Sequence, residues 1–305
     1  KNIIFANRKV MAVNAYDQHQ ELGKTFGCYF GQNMQVFSSD PDLIYKVCVT
    51  DFQKHRNRYY VNSLSKYIRA SLLEARDNHW QTSRRAIGSV LKASKLKIDN
   101  VDTDIESTIT MMLKSIDWRL NEMKKNDGET IFDVYQINKN FFMQSILKII
   151  YDQQDLVDFD NEYNDVVEDL YSFINVNYEF VARLCFLIPS LNHLVRPLID
   201  FFDHGKFLNI LKDKIEKILG RTPKEHQSGG RRLTTIHSMI SSYRKGELSR
   251  DQLIGNAIFL LIAGFATSVD TMSALMWELA CNQEVQNKLR ADLQQYGEGS
   301  TYLNQ

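Results

Sequence analysis

The sequence predicts a mainly α-helical protein with a long central helix and a small N-terminal β-sheet. Three observations carry that expectation. Only 4 Pro and 14 Gly occur in 305 residues, too few punctuators for a many-stranded β fold. Apolar residues recur at steps of three and four along most of the chain. A proline-free apolar run, FLLIAGFATSVDTMSALMWELA, follows a helix-start signal near the C-terminus. With 44% hydrophobic residues, the length suffices for one large domain or two ordinary ones around a substantial core, which excludes intrinsic disorder.

In chain order, a helical stretch is expected near Tyr16 to Thr25. CYFGQ and MQVFSS then have the length and the aromatic and β-branched content of two short strands, joined by a Gln-Asn turn. Asp40 before Pro41 reads as an N-cap with proline at the first helical position, opening a short helix through Val49. Asn78 to Leu91 reads as helix. Between Asp102 and Met123, the residues Ile105, Ile109, Met112, Ile116, Leu120 and Met123 draw one amphipathic stripe. Gly128 stops that helix, and Thr130 is placed to cap the next, with Phe132, Ile137, Phe141, Phe142, Ile146 and Ile149 inward.

A further helix is expected from Asp158 to Asn177, then an apolar segment interrupted by Pro189. The apolar Phe180 to Val195 region suits a core connection or a membrane-dipping surface equally well. Helical period resumes from Pro197 to Gly220, and TPKEHQSGGRRLTT reads as a solvated loop. Ser249 and Gln252 have capping-box spacing and open the longest helix. The most apolar stretch, Ala257 to Ala266, is short of the roughly 20 residues a spanning helix needs, which favours a buried helix.

Charge excludes other classes. Lys plus Arg and Asp plus Glu are 37 each, with pI near 7.2, so no basic field exists to hold a phosphate backbone and nucleic acid is not an expected partner. Cys28, Cys48, Cys185 and Cys281 form no CxxC pair, which points to free thiols. The seven His include no HExxH, and no Gly-rich phosphate loop occurs.

Two constellations could carry chemistry. The long helix holds Ala263, Gly264, Phe265, Ala266, Thr267 and Ser268 at its centre. Glycine there costs about 1 kcal/mol relative to alanine, and a threonine hydroxyl must find a partner or bond back to the preceding turn. A close helix crossing explains these residues, and so does a ligand packed against that turn. Trp80 and Arg84 lie four apart on one helix face. An indole N–H and a guanidinium are donors only, so together they suit an anion such as a carboxylate. A cation–π or surface packing contact is the plainer explanation of such a pair.

In their surroundings these residues resemble a known family. SLLEARDNHWQTSRRAIGSVLKASKLK is similar to the helix of the cytochrome P450 family whose WxxxR motif holds the haem propionates. LSRDQLIGNAIFLLIAGFATSVDTMSALMWELACNQEVQNKLRADL resembles that family's long central helix, with its AGxxT motif, and the helix after it. QELGKTFGCYFGQNMQVFSSDPDLIYKVCVTDFQKHRNR resembles its first helix, first hairpin and following helix. The microsomal animal branch is the nearest in character. The resemblance covers essentially all of residues 1–305 and is weakest from about Asp99 to Lys245.

The resemblance implies an incomplete cytochrome P450 fold over residues 1–305, with an N-terminal membrane anchor upstream of Lys1 and the haem-thiolate loop beyond Gln305. It implies haem b as cofactor, with Trp80 and Arg84 on the propionates, Ala263 and Gly264 over the haem face, and Thr267 as the hydroxyl that delivers protons during oxygen activation. No metal ligand is expected in this chain. The implied activity is a monooxygenase on the cytosolic face of the endoplasmic reticulum membrane. It would take NADPH electrons from NADPH-cytochrome P450 reductase and insert one oxygen atom from O2 into a lipophilic small molecule.

Three departures bear on this. Ala266 stands where the family has an acid, and Ser268 replaces a second threonine. None of the four cysteines has the FxxGxxxC context, since the residues seven before them are Glu21, Pro41, Tyr178 and Ala274. Glu247 and Arg250 match the family's ExxR by letters but precede the central helix and read as its solvated start. A non-catalytic, haem-free helical protein derived from the family is therefore the alternative.

Overall fold

The computed structural model describes residues 11–30, 33–57, 66–88, 91, 101–125, 133–151, 188–191, 193–195, 197 and 234–294. Among them helix dominates, beside one two-stranded antiparallel sheet, as the sequence predicts. Helix α1 is Met11–Leu22, earlier than the Tyr16 to Thr25 expected. Gly23, at φ +91°, ends it by donating its N–H to the His19 carbonyl at 3.1 Å, and Thr25 already belongs to a strand.

Strands β1 (Thr25–Phe30) and β2 (Asn33–Ser38) pair from Thr25 opposite Ser38 to Phe30 opposite Asn33. Both start earlier than CYFGQ and MQVFSS suggest, and Asn33 joins the ladder rather than the turn. The Phe26 and Phe37 rings stack across the pair with centroids 5.6 Å apart.

Helix α2, Pro41–Tyr45, begins as the sequence predicts, with the Asp40 carboxylate accepting from the Asp42 N–H at 3.1 Å. It continues as a π-helical turn, Lys46–Thr50. Then follow α3 (Phe52–His55), α4 (Lys66–Ala70), α5 (Asp77–Gly88), α6 (Val101–Lys125) and α7 (Val134–Tyr151). The cap of α7 is Asp133, whose carboxylate accepts from the Tyr135 N–H at 2.9 Å. Thr130, expected in that role, lies outside the described residues, as do the Asp158 to Asn177 helix, the Pro197 to Gly220 stretch beyond residue 197, and Cys185.

Pro189 opens a 3-10 turn, Pro189–Leu191. Helix α8, Thr235–Arg244, follows the stretch read as a solvated loop, and the sequence reading assigned no element to it. Thr234 caps it, with its backbone N–H donating to His237 Nδ1 at 3.3 Å. Helices α9 (Arg250–Cys281) and α10 (Gln283–Gln294) complete the order. The Ser249 and Gln252 capping box is present in both directions.

The core gathers α4, α5, α7 and α8 around the N-terminal half of α9. Met143, Ile236, Met239, Leu253, Ala257, Ile258 and Phe265 are fully enclosed. A smaller cluster joins Met112 and Ile116 of the α6 stripe to Ile137 and Phe141, whereas Ile109 of that stripe is exposed. Helix α9 is long and apolar enough by composition to cross a bilayer, yet 61% of its most apolar window is buried within the fold. It is packed all round over its first turns and exposed along one side farther on. Among the described residues Cys28, Cys48 and Cys281 are free thiols.

The tightest approach in the core lies at Gly255. A Cβ there would collide with the Tyr67 carbonyl and would sit 3.2 Å from the Ser71 backbone nitrogen. Only glycine lets α4 and its following turn lie against α9. Gly255→Ala is expected to cost about 3 kcal/mol by overpacking, read by urea denaturation. Gly88→Ala, with nothing within 4 Å of the added carbon, is expected to be neutral or stabilising.

Candidate functional site

Helix α5 carries the first constellation. Its start is fixed from outside: Asp77 has φ +49°, a conformation that aspartate tolerates better than most residues. Asn57 clamps it in both directions, donating Nδ2 to the Asp77 carboxylate at 3.1 Å and accepting the Asp77 N–H at 2.9 Å. Arg56 Nη2 donates to the same oxygen at 3.2 Å. The Asn57 hydrogen bond first, and the Arg56 bond and charge after it, hold the Asp77 carboxyl below its ordinary value of 3.8.

From this anchored start, α5 turns Ser83, Ala86 and Ile87 into the core. Its other flank presents Trp80 and Arg84 one turn apart, as their spacing predicts. Trp80 is half-buried, with its ring 5.8 Å from that of Phe52. Arg84 is exposed, with no ion pair among the described residues.

Helix α5 is tied to α9 by polar contacts that sequence reasoning missed. Gln252 Oε1 accepts from the Ser249 N–H at 2.8 Å, so its Nε2 is the donor to His79 Nδ1 at 2.9 Å. Fully buried Asn256 accepts the Leu72 N–H at 2.6 Å and donates to Ser83 Oγ at 3.1 Å. A buried amide that loses its water must be paired in this way. The signal was a lone Asn inside an apolar helical run.

The second constellation divides between two faces of α9. Ala263 and Thr267 are exposed and one turn apart. Thr267 Oγ1 donates to the Ala263 carbonyl at 2.7 Å, and Thr271 Oγ1 repeats the pattern onto the Thr267 carbonyl at 2.7 Å. Ala263, Thr267 and Thr271 thus form a small, hydroxylated strip along α9. Gly264 lies round toward α7, where an added Cβ would come within 3.2 Å of Ile146 Cδ1. Ala266 is half-buried and packs against the core. The close-crossing account therefore applies to Gly264, and the open-face account to Ala263 and Thr267.

One carboxyl group borders that face. Asp270 accepts a hydrogen bond at 2.7 Å from the Tyr135 hydroxyl of α7, and one turn on, Asn138 Nδ2 donates to Ser273 Oγ at 2.9 Å. Farther down, the Tyr151 hydroxyl donates to the Ala257 carbonyl at 2.6 Å, and complete burial pushes its pKa well up. Among the described residues no group of three His, Cys, Asp or Glu is placed to hold a metal. Burial raises the Cys28 thiol, which disfavours its thiolate.

Comparison with known proteins identifies a family. The family model described as Cytochrome P450 matches residues 2–302. The chain is 24% identical over 294 residues to Cytochrome P450 3A9 of Rattus norvegicus, covering 90% of this chain and 54% of that protein. It is 22% identical over 324 residues to Thromboxane-A synthase of Macaca fascicularis, covering 93% and 59%. With Probable cytochrome P450 6a19 of Drosophila melanogaster it shares 22% over 293 residues, covering 90% and 54%. The chain thus spans somewhat more than half the length of these relatives.

The Asp77 clamp has a defined pH signature. Because its folded-state pKa lies below the ordinary value, it adds stability above that value and loses it as pH falls through the folded pKa. Asp77→Asn is expected to lower stability at neutral pH, with the gap to the parent closing as pH drops below about 3.8. Urea unfolding across that range checks it, and a pH-independent gap would assign the effect to backbone conformation instead.

Proposed function

The chain belongs to the cytochrome P450 family, and from that premise we propose that the complete protein is a haem-dependent monooxygenase acting on a lipophilic small molecule. The observation that supports this reading is the family match over residues 2–302, together with helix α9, where the Thr267 hydroxyl is already oriented onto the Ala263 carbonyl. The residues present suit haem. Trp80 Nε1–H and the Arg84 guanidinium are donors without an acceptor function, matched to propionate carboxylates. A helix side made of alanine and threonine leaves room for a flat macrocycle.

Haem, when bound and reduced, would supply the activation of dioxygen. The chain's own residues bind and move protons. Trp80 and Arg84 hold the carboxylates. Gly264 lets Ile146 close in behind the turn, which turns Ala263 and Thr267 outward. Thr267 Oγ1 donates to the Ala263 carbonyl and keeps its lone pairs for a water, so rotation of the hydroxyl passes a proton across the face. Family membership supports NADPH-cytochrome P450 reductase as electron donor and the endoplasmic reticulum membrane as location.

Ala266 favours a second reading, a family-derived protein without catalysis, because no acid stands directly beside Thr267 in sequence. The reduced carbon monoxide difference spectrum of the full-length protein separates the two. A Soret band of thiolate-bound haem is expected in the parent. Arg84→Ala is expected to weaken haem retention by about tenfold, the loss of one charge-assisted contact. A full-length product that binds no haem would establish the second reading.

A further inference from the structure

Two amides on α9 reach across to α5 at matching positions. Gln252 and Asn256 are four apart on α9, and their partners His79 and Ser83 are four apart on α5. Side chains with that spacing stand one above the other on a single helix face. The pairs therefore form two rungs of a ladder, one turn apart, running in the same direction along both helices.

Each rung has a fixed polarity. Gln252 Oε1 is taken by the Ser249 N–H at 2.8 Å, and Asn256 Oδ1 by the Leu72 N–H at 2.6 Å. Backbone N–H groups only donate, so neither amide is free to turn round, and both present their NH2 groups to α5. Positions 79 and 83 must then supply acceptors. Ser83 Oγ accepts at 3.1 Å, and His79 accepts at 2.9 Å through Nδ1. The proton of the neutral His79 ring consequently sits on Nε2. Gln252, Asn256 and Ser83 are buried, where a lost partner is not replaced without cost. The far end of α5 is held separately, by Ser238 Oγ of α8 on the Ala86 carbonyl at 2.9 Å, which leaves its first turns to the ladder.

The two anion donors follow the rungs one for one. Trp80 succeeds His79, and Arg84 succeeds Ser83, each about 100° round the helix from its rung. Any slippage or rotation of α5 carries the indole and the guanidinium with it. A single hydrogen bond leaves α5 free to pivot, whereas two bonds one turn apart fix its register and its rotation together.

Resting on the monooxygenase reading, which supplies the haem carboxylates, we infer that this ladder is the register device that sets Trp80 and Arg84 against α9, with His79 and Gln252 as positioning residues. They act through the donors that follow the rungs. Gln252 makes position 79 a place for an acceptor and rejects a side chain that only donates.

The test compares His79→Leu, His79→Asn, Ser83→Ala and the double variant of His79→Leu with Ser83→Ala against the parent, all as full-length protein. Leucine fills the near half of the ring without an acceptor, and asparagine puts Oδ1 where Nδ1 stood. Haem transfer to an excess acceptor protein is expected to quicken about threefold in each of His79→Leu and Ser83→Ala, and about thirtyfold in the double variant, where independent contacts would give about ninefold. His79→Asn is expected to stay within about twofold of the parent. Nitrogen-15 histidine resonances read the polarity with or without haem. The signal lost in His79→Asn is expected to show a bare Nδ1 and a protonated Nε2 in the neutral ring, with the Nδ1 shift moving in Gln252→Leu.

A double variant that releases haem at the product of the single effects, a His79→Asn protein that behaves like His79→Leu, or a neutral His79 ring protonated on Nδ1 overturns the ladder. A parent that binds no haem overturns the monooxygenase reading and the role toward its carboxylates, while the nitrogen shifts still decide whether α5 and α9 are laddered.

Discussion

The arrangement depends on one contact, the approach of the α4 segment to α9 at Gly255 and Asn256. Gly255 removes the side chain that would strike the Tyr67 carbonyl. In the space so gained, the Asn256 amide reaches the Leu72 N–H on one side and Ser83 on the other. Three segments that are distant in sequence are thereby locked at one point. Helix α5 inherits its position from that lock, and Trp80 and Arg84 inherit theirs from α5. Losing the amide would leave a donor and an acceptor unpaired in an apolar surrounding, a cost of about 1–3 kcal/mol for each group.

Along α9 the environment changes in a graded way. The first turns are enclosed and their polar atoms are spoken for: Gln252 by Ser249 and His79, Asn256 by Leu72 and Ser83, and the Ala257 carbonyl by Tyr151. Beyond Leu261 one side opens, where Ala263, Thr267, Thr271 and Ala274 are small or hydroxylated and Asp270, Leu275 and Trp277 are exposed with them. Back-bonding by Thr267 and Thr271 satisfies both hydroxyls without tertiary partners, so the face is ordered before anything binds to it. Helix α7 packs behind the face through Ile146 and meets its border through Tyr135 and Asn138. A rigid back and an open front are what a helix needs to present a hydroxyl at a fixed place.

Much of this was legible in the sequence because it is local. The Asp40 and Pro41 helix start, the Ser249 and Gln252 capping box, the α6 and α7 periodicity and the Trp80 to Arg84 spacing all depend on neighbours within a few residues. What failed depended on distant partners or competing local signals. Gly23 ended α1 before Thr25, strand pairing drew Asn33 out of the turn, and Asp133 was the cap where Thr130 had been preferred. Helix α8 had no reading of its own, because it is a short segment between the stretch read as loop and the capping box of α9. The partners of Asn256 and Asp270 lie on other elements, beyond any periodicity argument, though each stood out as a polar residue in an apolar run. Gly264 was one residue of a motif that the helix splits, since successive positions lie 100° apart on an α-helix.

The most direct test of this account is the rate at which haem transfers from the full-length protein to an excess acceptor, compared between the parent and Asn256→Ala. Asn256 is fully buried and tied to Leu72 and Ser83, so it acts only through the placement of α5 against α9. The account expects release to quicken about tenfold, equivalent to 1.4 kcal/mol, while the spectrum of the haem that remains is unchanged. Release at the parental rate from a destabilised Asn256→Ala protein would contradict it, because α5 would then hold its place without the contact on which this structure is built.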